Sequence, residues 1–212
     1  MAADRPLRVL FVCTDNACLS PLAAGLMALH ARDRGMPIDV ASAGLEPSDG
    51  PFHKTVVWLL ANRNVRFGRT ASQPLDQALL DGADLVITMT HDQSVALTER
   101  FAVGDRPVFV LGDLASTSPR RVDGATATLD PLSRLPEPRS TDARWDVTDP
   151  TGEPESVYLR LHVEIDDLVR EVVSVLSEDA TSDDDAHGLA PVEPIVDLRL
   201  ERTGRPVRAH PA

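Results

Sequence analysis

The sequence predicts an α/β fold, a four-stranded, mainly parallel sheet flanked by helices on both faces. Three observations carry that prediction. Short apolar runs alternate with segments of helical periodicity, the runs are apolar on both faces as buried parallel strands require, and a long amphipathic stretch closes the pattern.

Residues 7–12 (Leu-Arg-Val-Leu-Phe-Val) form the first such run, ending at Cys13. A helix is expected immediately afterwards, with Ser20 as N-cap, Pro21 in the first turn, and Leu22, Leu26 and Leu29 on one face. The alternation continues with a strand at 38–43, a helix at 52–62, a short helical segment near 75–80 and a strand at 83–89. A helix at about 92–101 and a strand at 107–111 follow. Residues 115–144, rich in Ser, Pro, Arg and Thr, are expected to form a long loop with one short helical turn. From 155 to 176, Val157, Leu161, Ile165, Leu168, Val172 and Val175 recur at helical spacing, which predicts one long amphipathic helix.

Residues 1–176 therefore read as one domain and 177–212 as an acidic linker and disordered C-terminal tail. Residues 177–187 hold Glu178, Asp179, Asp183, Asp184 and Asp185 with no Lys or Arg, the composition of a solvated linker. The last segment has a strand-like stretch near 195–200, and we expect it to stay mobile. No repeats are present.

The net charge of −12 repels polyanions, so nucleic acid is excluded as a partner. No run reaches the roughly 18 consecutive apolar residues of a membrane span, and the N-terminal residues lack a signal-peptide core. A cytoplasmic protein that does not engage membranes is expected. Cys13 and Cys18 are the two cysteines, too few for a disulfide framework or a closed zinc site, which leaves them as inert core residues or reactive ones. No metal or cofactor is expected, and the sequence assigns no oligomeric state.

The candidate chemistry lies at the end of the first strand, where ligands bind in parallel α/β sheets. Cys13 is followed by Thr14, Asp15, Asn16, Ala17, Cys18, Leu19 and Ser20 before the helix. Amides wrapping toward a helix start favour an anion and are expected to lower the Cys13 pKa, making the thiol a better nucleophile.

This segment, running from Val9 to Pro21, resembles the phosphate-binding loop of the low-molecular-weight protein tyrosine phosphatases and the related arsenate reductases, whose pattern is Cys, five residues, Arg, then Ser or Thr. Further likenesses are Ser42-Ala-Gly44 after the second strand, the run Ala83-Asp-Leu-Val-Ile-Thr-Met89, and Asp146-Val-Thr-Asp-Pro150 before the last helix. The resemblance covers about residues 7 to 176. It implies a low-molecular-weight phosphatase-like fold and phosphomonoester hydrolysis through a cysteinyl-phosphate. By the same resemblance, Cys13 matches the nucleophile, Ser20 the hydroxyl that hydrogen-bonds the thiolate, and Asn16 a loop-shaping asparagine. Asp149 matches the general acid, although Asp-Pro is also a common turn dipeptide. Cys18 matches a second loop cysteine that in relatives forms a reversible disulfide with the nucleophile, and as a plain residue it reads equally as a packed small side chain.

Two positions depart from the family. Leu19 stands where arginine is usual, removing the guanidinium that would grip two phosphoryl oxygens, and Asp15 stands where glycine is usual, bringing a negative side chain to a site for a dianion. Losing one preorganised donor commonly costs about 100- to 1000-fold in rate, so activity is expected to be weak or lost. Thr151 and Gly152 follow Asp-Pro where the family often has aromatic residues, so no aromatic slot is expected. Arg120, Arg121, Arg134, Arg139 and Arg144 are candidates to replace the missing cation, while His53 and His91 read as surface or helix-end residues. The alternatives to a weakened phosphatase are a non-catalytic pseudophosphatase that binds a phosphoprotein or other protein partner, and a thiol redox sensor.

Overall fold

A computed structural model describes residues 5–66, 68–117, 131–136 and 143–177. Four strands, β1 (Leu7–Cys13), β2 (Ile38–Gly44), β3 (Leu85–Thr88) and β4 (Val108–Val110), form one sheet in the order β2-β1-β3-β4. Every pairing between them is parallel, with Leu7 to Cys13 of β1 in register with Ile38 to Gly44 of β2. The six α-helices among the described residues are α1 (Leu19–Asp33), α2 (Lys54–Ala61), α3 (Gln77–Gly82), α4 (His91–Arg100), α5 (Leu111–Ala115) and α6 (Glu155–Leu176).

The two faces of β1 feed two separate apolar layers. Val9, Phe11 and Cys13 join α1, α5 and α6 in the larger cluster, with Leu26, Met27, Ile165, Val169 and Val172 at its centre. Leu10 and Val12 point the other way, against Leu79 and Leu80 of α3 and Leu97 of α4. Side chains on a strand alternate between faces, so burial on both faces requires apolar residues at consecutive positions. That is why Val9 to Val12 form an unbroken apolar run with no solvent exposure.

Several boundaries differ from the sequence expectation. Helix α1 begins at Leu19, with Cys18 in the cap position and no side-chain cap bond, so Ser20 lies inside the helix and is not its cap. Helix α5 begins at Leu111, the last residue of the expected strand, and ends at Ala115, where the long loop is expected to start. The sheet is wholly parallel among the described strands, and the long connection contributes two short 3-10 turns, Pro131–Arg134 and Ala143–Trp145. The acidic linker and tail, apart from Ser177, lie outside the described residues. No described helix is long and apolar enough to cross a membrane.

Candidate active site

The loop between β1 and α1 is built around Asn16. Its side chain is fully buried and its backbone takes a left-handed φ of 56°, which asparagine tolerates better than most residues because its short amide bonds locally. The Asn16 Nδ2 donates to Ser20 Oγ and to Ser42 Oγ, each at 2.9 Å, and Oδ1 accepts from the backbone N–H of Gln73 at 3.0 Å. Ser72 Oγ donates to the Asn16 carbonyl at 3.1 Å, and Gln73 Nε2 donates to the Ser42 carbonyl at 2.7 Å. One asparagine thus ties the loop to α1, to β2 and to the 72–73 segment.

The surrounding backbone closes on the loop from two further sides. Leu45 N–H donates to the Cys13 carbonyl and Glu46 N–H to the Thr14 carbonyl, at 2.9 and 2.7 Å. Gly44 lies so near that a Cβ there would sit 2.9 Å from the Thr14 carbonyl oxygen, which accounts for glycine at the end of the Ser-Ala-Gly sequence. On the other side, Gln93 completes the capping box of α4 with Thr90 and donates from Nε2 to Thr14 Oγ1 at 3.1 Å.

Within the loop, Cys13, Asp15, Asn16 and Ser20 come together. Cys13 Sγ lies 3.0 Å from Ser20 Oγ and accepts from the Asn16 N–H at 3.2 Å. Asp15 turns inward: its Oδ1 accepts from the Ala17 N–H at 3.0 Å and from the Cys13 thiol at 3.7 Å. The expectation of a lowered Cys13 pKa is not met. Burial pushes the thiol up to about 11, against the Ser20 and Asn16 hydrogen bonds, and the Asp15 charge adds to the rise. The Cys18 thiol is pushed up to about 12 by burial and then by the charges at Cys13, Asp15 and Asp149. Both cysteines are free.

Leu19 leaves the loop. It is 3% exposed and packs in the larger apolar cluster, so its side chain supplies no donor to an anion. Among the proposed replacements, Arg120, Arg121 and Arg139 and the side chain of Arg134 lie outside the described residues. Arg144 is described, with its guanidinium 5.4 Å from the centre of the Trp145 ring.

The segment bearing Asp149 is pinned to the sheet by its neighbours. Val147 N–H donates to the Met89 carbonyl at 2.9 Å, and Asp146 Oδ1 accepts from the His91 N–H at the start of α4 at 2.8 Å. Trp145 lies against Gly112, where a Cβ would come within contact of its carbonyl oxygen. Asp149 itself is exposed, and its Oδ1 accepts from both the N–H and the hydroxyl of Thr151, at 2.9 and 2.8 Å. Asp149 thus forms an Asp-Pro turn, and its charge contributes to the raised pKa of Cys18.

Thr151 and Gly152 follow Asp-Pro as the sequence shows, and a pair of stacked rings is tied to the loop from elsewhere. Tyr158 of α6 stacks on His53 with ring centres 4.1 Å apart and planes 9° from parallel, and the His53 N–H donates to the Ala17 carbonyl at 2.8 Å. Burial raises the Tyr158 pKa, and the charges of Cys18, Asp149, Asp15 and Glu153 raise it further. One ring sits at the N-cap of α2 and the other in α6, and nothing in the local sequence marks them as a pair. His53 also caps α2, and His91 opens α4, so both are helix-end residues; His91 Nδ1 is buried without a hydrogen-bond partner. Among the described residues no group of three or more His, Cys, Asp or Glu side chains could hold a metal ion.

Comparison with known proteins places this geometry in context. The family described as low molecular weight phosphotyrosine protein phosphatase matches residues 8–134. A protein-arginine-phosphatase of Bacillus subtilis is 27% identical over 172 residues, covering 81% of this chain and 97% of its own length. One from Geobacillus stearothermophilus is 29% identical over 168 residues, covering 77% and 92%. The crystal structure of a YwlE mutant from Bacillus subtilis superposes with a TM-score of 0.61 at 27% identity, covering 80% of this chain and 98% of that one. A low molecular weight protein tyrosine phosphatase from T. tengcongensis does so at 0.60 and 25%, covering 79% and 98%. With its parallel sheet, its Cys13 loop and a family match over more than half its length, this chain belongs to the low molecular weight phosphotyrosine protein phosphatase family.

Proposed function

We propose that this chain retains the phosphatase scaffold but hydrolyses phosphomonoesters very weakly or not at all. The observation that carries the reading is Leu19, buried in the apolar core at the position where the family pattern has arginine. In the reaction assigned by family likeness, the phosphoryl group would pass to Cys13 Sγ, Asp149 would give its proton to the departing oxygen, and water would then cleave the thiophosphate. The first transfer concentrates charge on the phosphoryl oxygens beside the loop, and removal of a preorganised donor there costs at least about 100- to 1000-fold. Burial of the Cys13 thiol adds to the deficit, since it raises the pKa and disfavours the thiolate.

Leu19 equally favours the non-catalytic reading, in which the scaffold binds a phosphoprotein or another protein without turnover. Burial of both thiols, which disfavours the thiolate that oxidises, argues less for redox sensing by Cys13 and Cys18. Likeness to proteins named as arginine phosphatases supports phosphoarginine beside phosphotyrosine as the substrate class to test. We assign the chain to the cytoplasm, where unpaired cysteines persist.

The test is hydrolysis of an aryl phosphate and of a phosphoarginine peptide by wild type and Cys13→Ser. Equal, near-background rates are expected with both substrates. Robust wild-type turnover abolished by Cys13→Ser would show a working enzyme and overturn the reading.

A further inference from the structure

Taking the loop as the phosphate loop of its family, as the preceding reading does, we infer that Asp15 is a tethered anion that occupies this loop and excludes phosphoryl ligands from it. A phosphoryl oxygen bound beside Cys13 would draw its stabilisation from the amides that face the sulfur. Two of these are already engaged: the Asn16 N–H points at Cys13 Sγ at 3.2 Å, and the Ala17 N–H is taken by Asp15 Oδ1 at 3.0 Å. The same carboxylate oxygen lies 3.7 Å from Cys13 Sγ, within reach of its proton. One oxygen thus spans the sulfur and the amide next to it, and a dianion seated there would meet a fixed like charge at close range.

The cation that would offset this charge is missing from the loop, because Leu19 is in the core. Ser20 does not offset it either, since its hydroxyl is held between Asn16 Nδ2 and Cys13 Sγ. The loop is thereby self-liganded: the chain's own carboxylate has the charge and the amide contact of a bound oxyanion. Asp15 is also an ordinary turn-former, with its side chain accepting from the N–H two residues on, and asparagine can make that same bond. Charge and turn can therefore be separated by a single substitution.

The experiment uses the full chain as wild type, Asp15→Asn and Asp15→Gly, with Leu19 unchanged throughout. Inorganic phosphate is the probe. Its affinity is measured by titration calorimetry, and its protection of Cys13 against iodoacetamide by peptide mass spectrometry. Near-ultraviolet circular dichroism confirms that each variant is folded. Wild type is expected to show no saturable phosphate binding and no protection. Asp15→Asn, which keeps the turn but loses the charge, is expected to gain about 10- to 100-fold in affinity, the range set by one charge-assisted contact, and Asp15→Gly at least as much. Protection of Cys13 should appear in both variants.

Saturable phosphate binding by wild type would overturn the inference. So would folded variants that bind no better than wild type, or a gain confined to Asp15→Gly, which would make Asp15 a turn residue only. Failure of Asp15→Asn to fold would also count against it, since the carboxylate would then be structural. Neither variant is expected to hydrolyse aryl phosphate while Leu19 remains. Unchanged phosphate affinity thus refutes the role of Asp15 alone, whereas wild-type turnover refutes the proposed loss of activity.

Discussion

Replacing Asn16 by alanine should cost far more stability than its position in a surface-reaching loop would indicate. The substitution removes two donated bonds, to Ser20 and Ser42, and one accepted bond from Gln73. At a net ~1 kcal/mol each these contribute about 3 kcal/mol. Alanine also has to adopt the left-handed φ of 56°, adding about 1 kcal/mol. The sum is a loss of about 3 to 5 kcal/mol, or about 6 to 20 °C in Tm for a domain of this size. Urea and thermal unfolding followed by circular dichroism measure it, with Ser42→Ala as the reference for losing one of the bonds, about 1 kcal/mol. Amide exchange at Gln73 should accelerate in Asn16→Ala, because its acceptor is gone. If Asn16→Ala costs no more than Ser42→Ala, the network does not hold the loop as described.

Three further outcomes follow from the geometry. Gly112→Ala would drive a methyl group into the Trp145 carbonyl; it should lower stability by about 1 to 3 kcal/mol and alter Trp145 fluorescence in a Trp58→Phe background, while unchanged emission and Tm would refute the contact. Burial pushes the Asp84 carboxyl up, but hydrogen bonds from Arg5 and from the Arg8 N–H and guanidinium outweigh it and hold the pKa at about 2. A folded pKa below the unfolded value of about 3.9 means that the stabilisation is complete above about pH 5 and is lost as pH falls through about 2. Asp84→Asn should remove about 1 to 2 kcal/mol of stability at pH 6, after allowance for screening of the exposed Arg5, and much less at pH 2. Alkylation of Cys13 by iodoacetamide should keep rising with pH through 10, as a pKa of about 11 requires, and a plateau near pH 8.5 would contradict the burial effect.

Much of this architecture was legible from local pattern. The span of α6, residues 155–176, coincides with its apolar periodicity, and the β1 run ends at Cys13 because both of its faces must be apolar until the loop begins. Helix α5 escaped notice because its five residues directly follow β4 and are too few to display a helical period. Ser20 looked like a cap because Ser-Pro is a common helix start, yet its hydroxyl is drawn to Cys13 and Asn16 by contacts that no local pattern encodes. The Tyr158–His53 stack and the bonds from Ser72 and Gln73 to Asn16 arise only when distant segments meet. The Cys13 thiol departs from expectation for a related reason: amides near the sulfur are visible in sequence, whereas the burial that outweighs them is not. Leu19 and Asp15 stand out in the sequence as departures from the family pattern. What the fold adds is where they go, one into the core and the other onto the Ala17 amide.

The most direct test of whether these two residues silence the site is the aryl phosphatase activity of the Asp15→Gly/Leu19→Arg double variant beside wild type, each single variant and a Cys13→Ser triple variant. An arginine at 19 is disfavoured in the apolar cluster, and Asp15→Gly releases the Ala17 amide and removes the like charge from the loop. Turnover at least about 100-fold above wild type in the double variant, lost when Cys13 is replaced, is the predicted result. A folded double variant no more active than wild type would contradict the account.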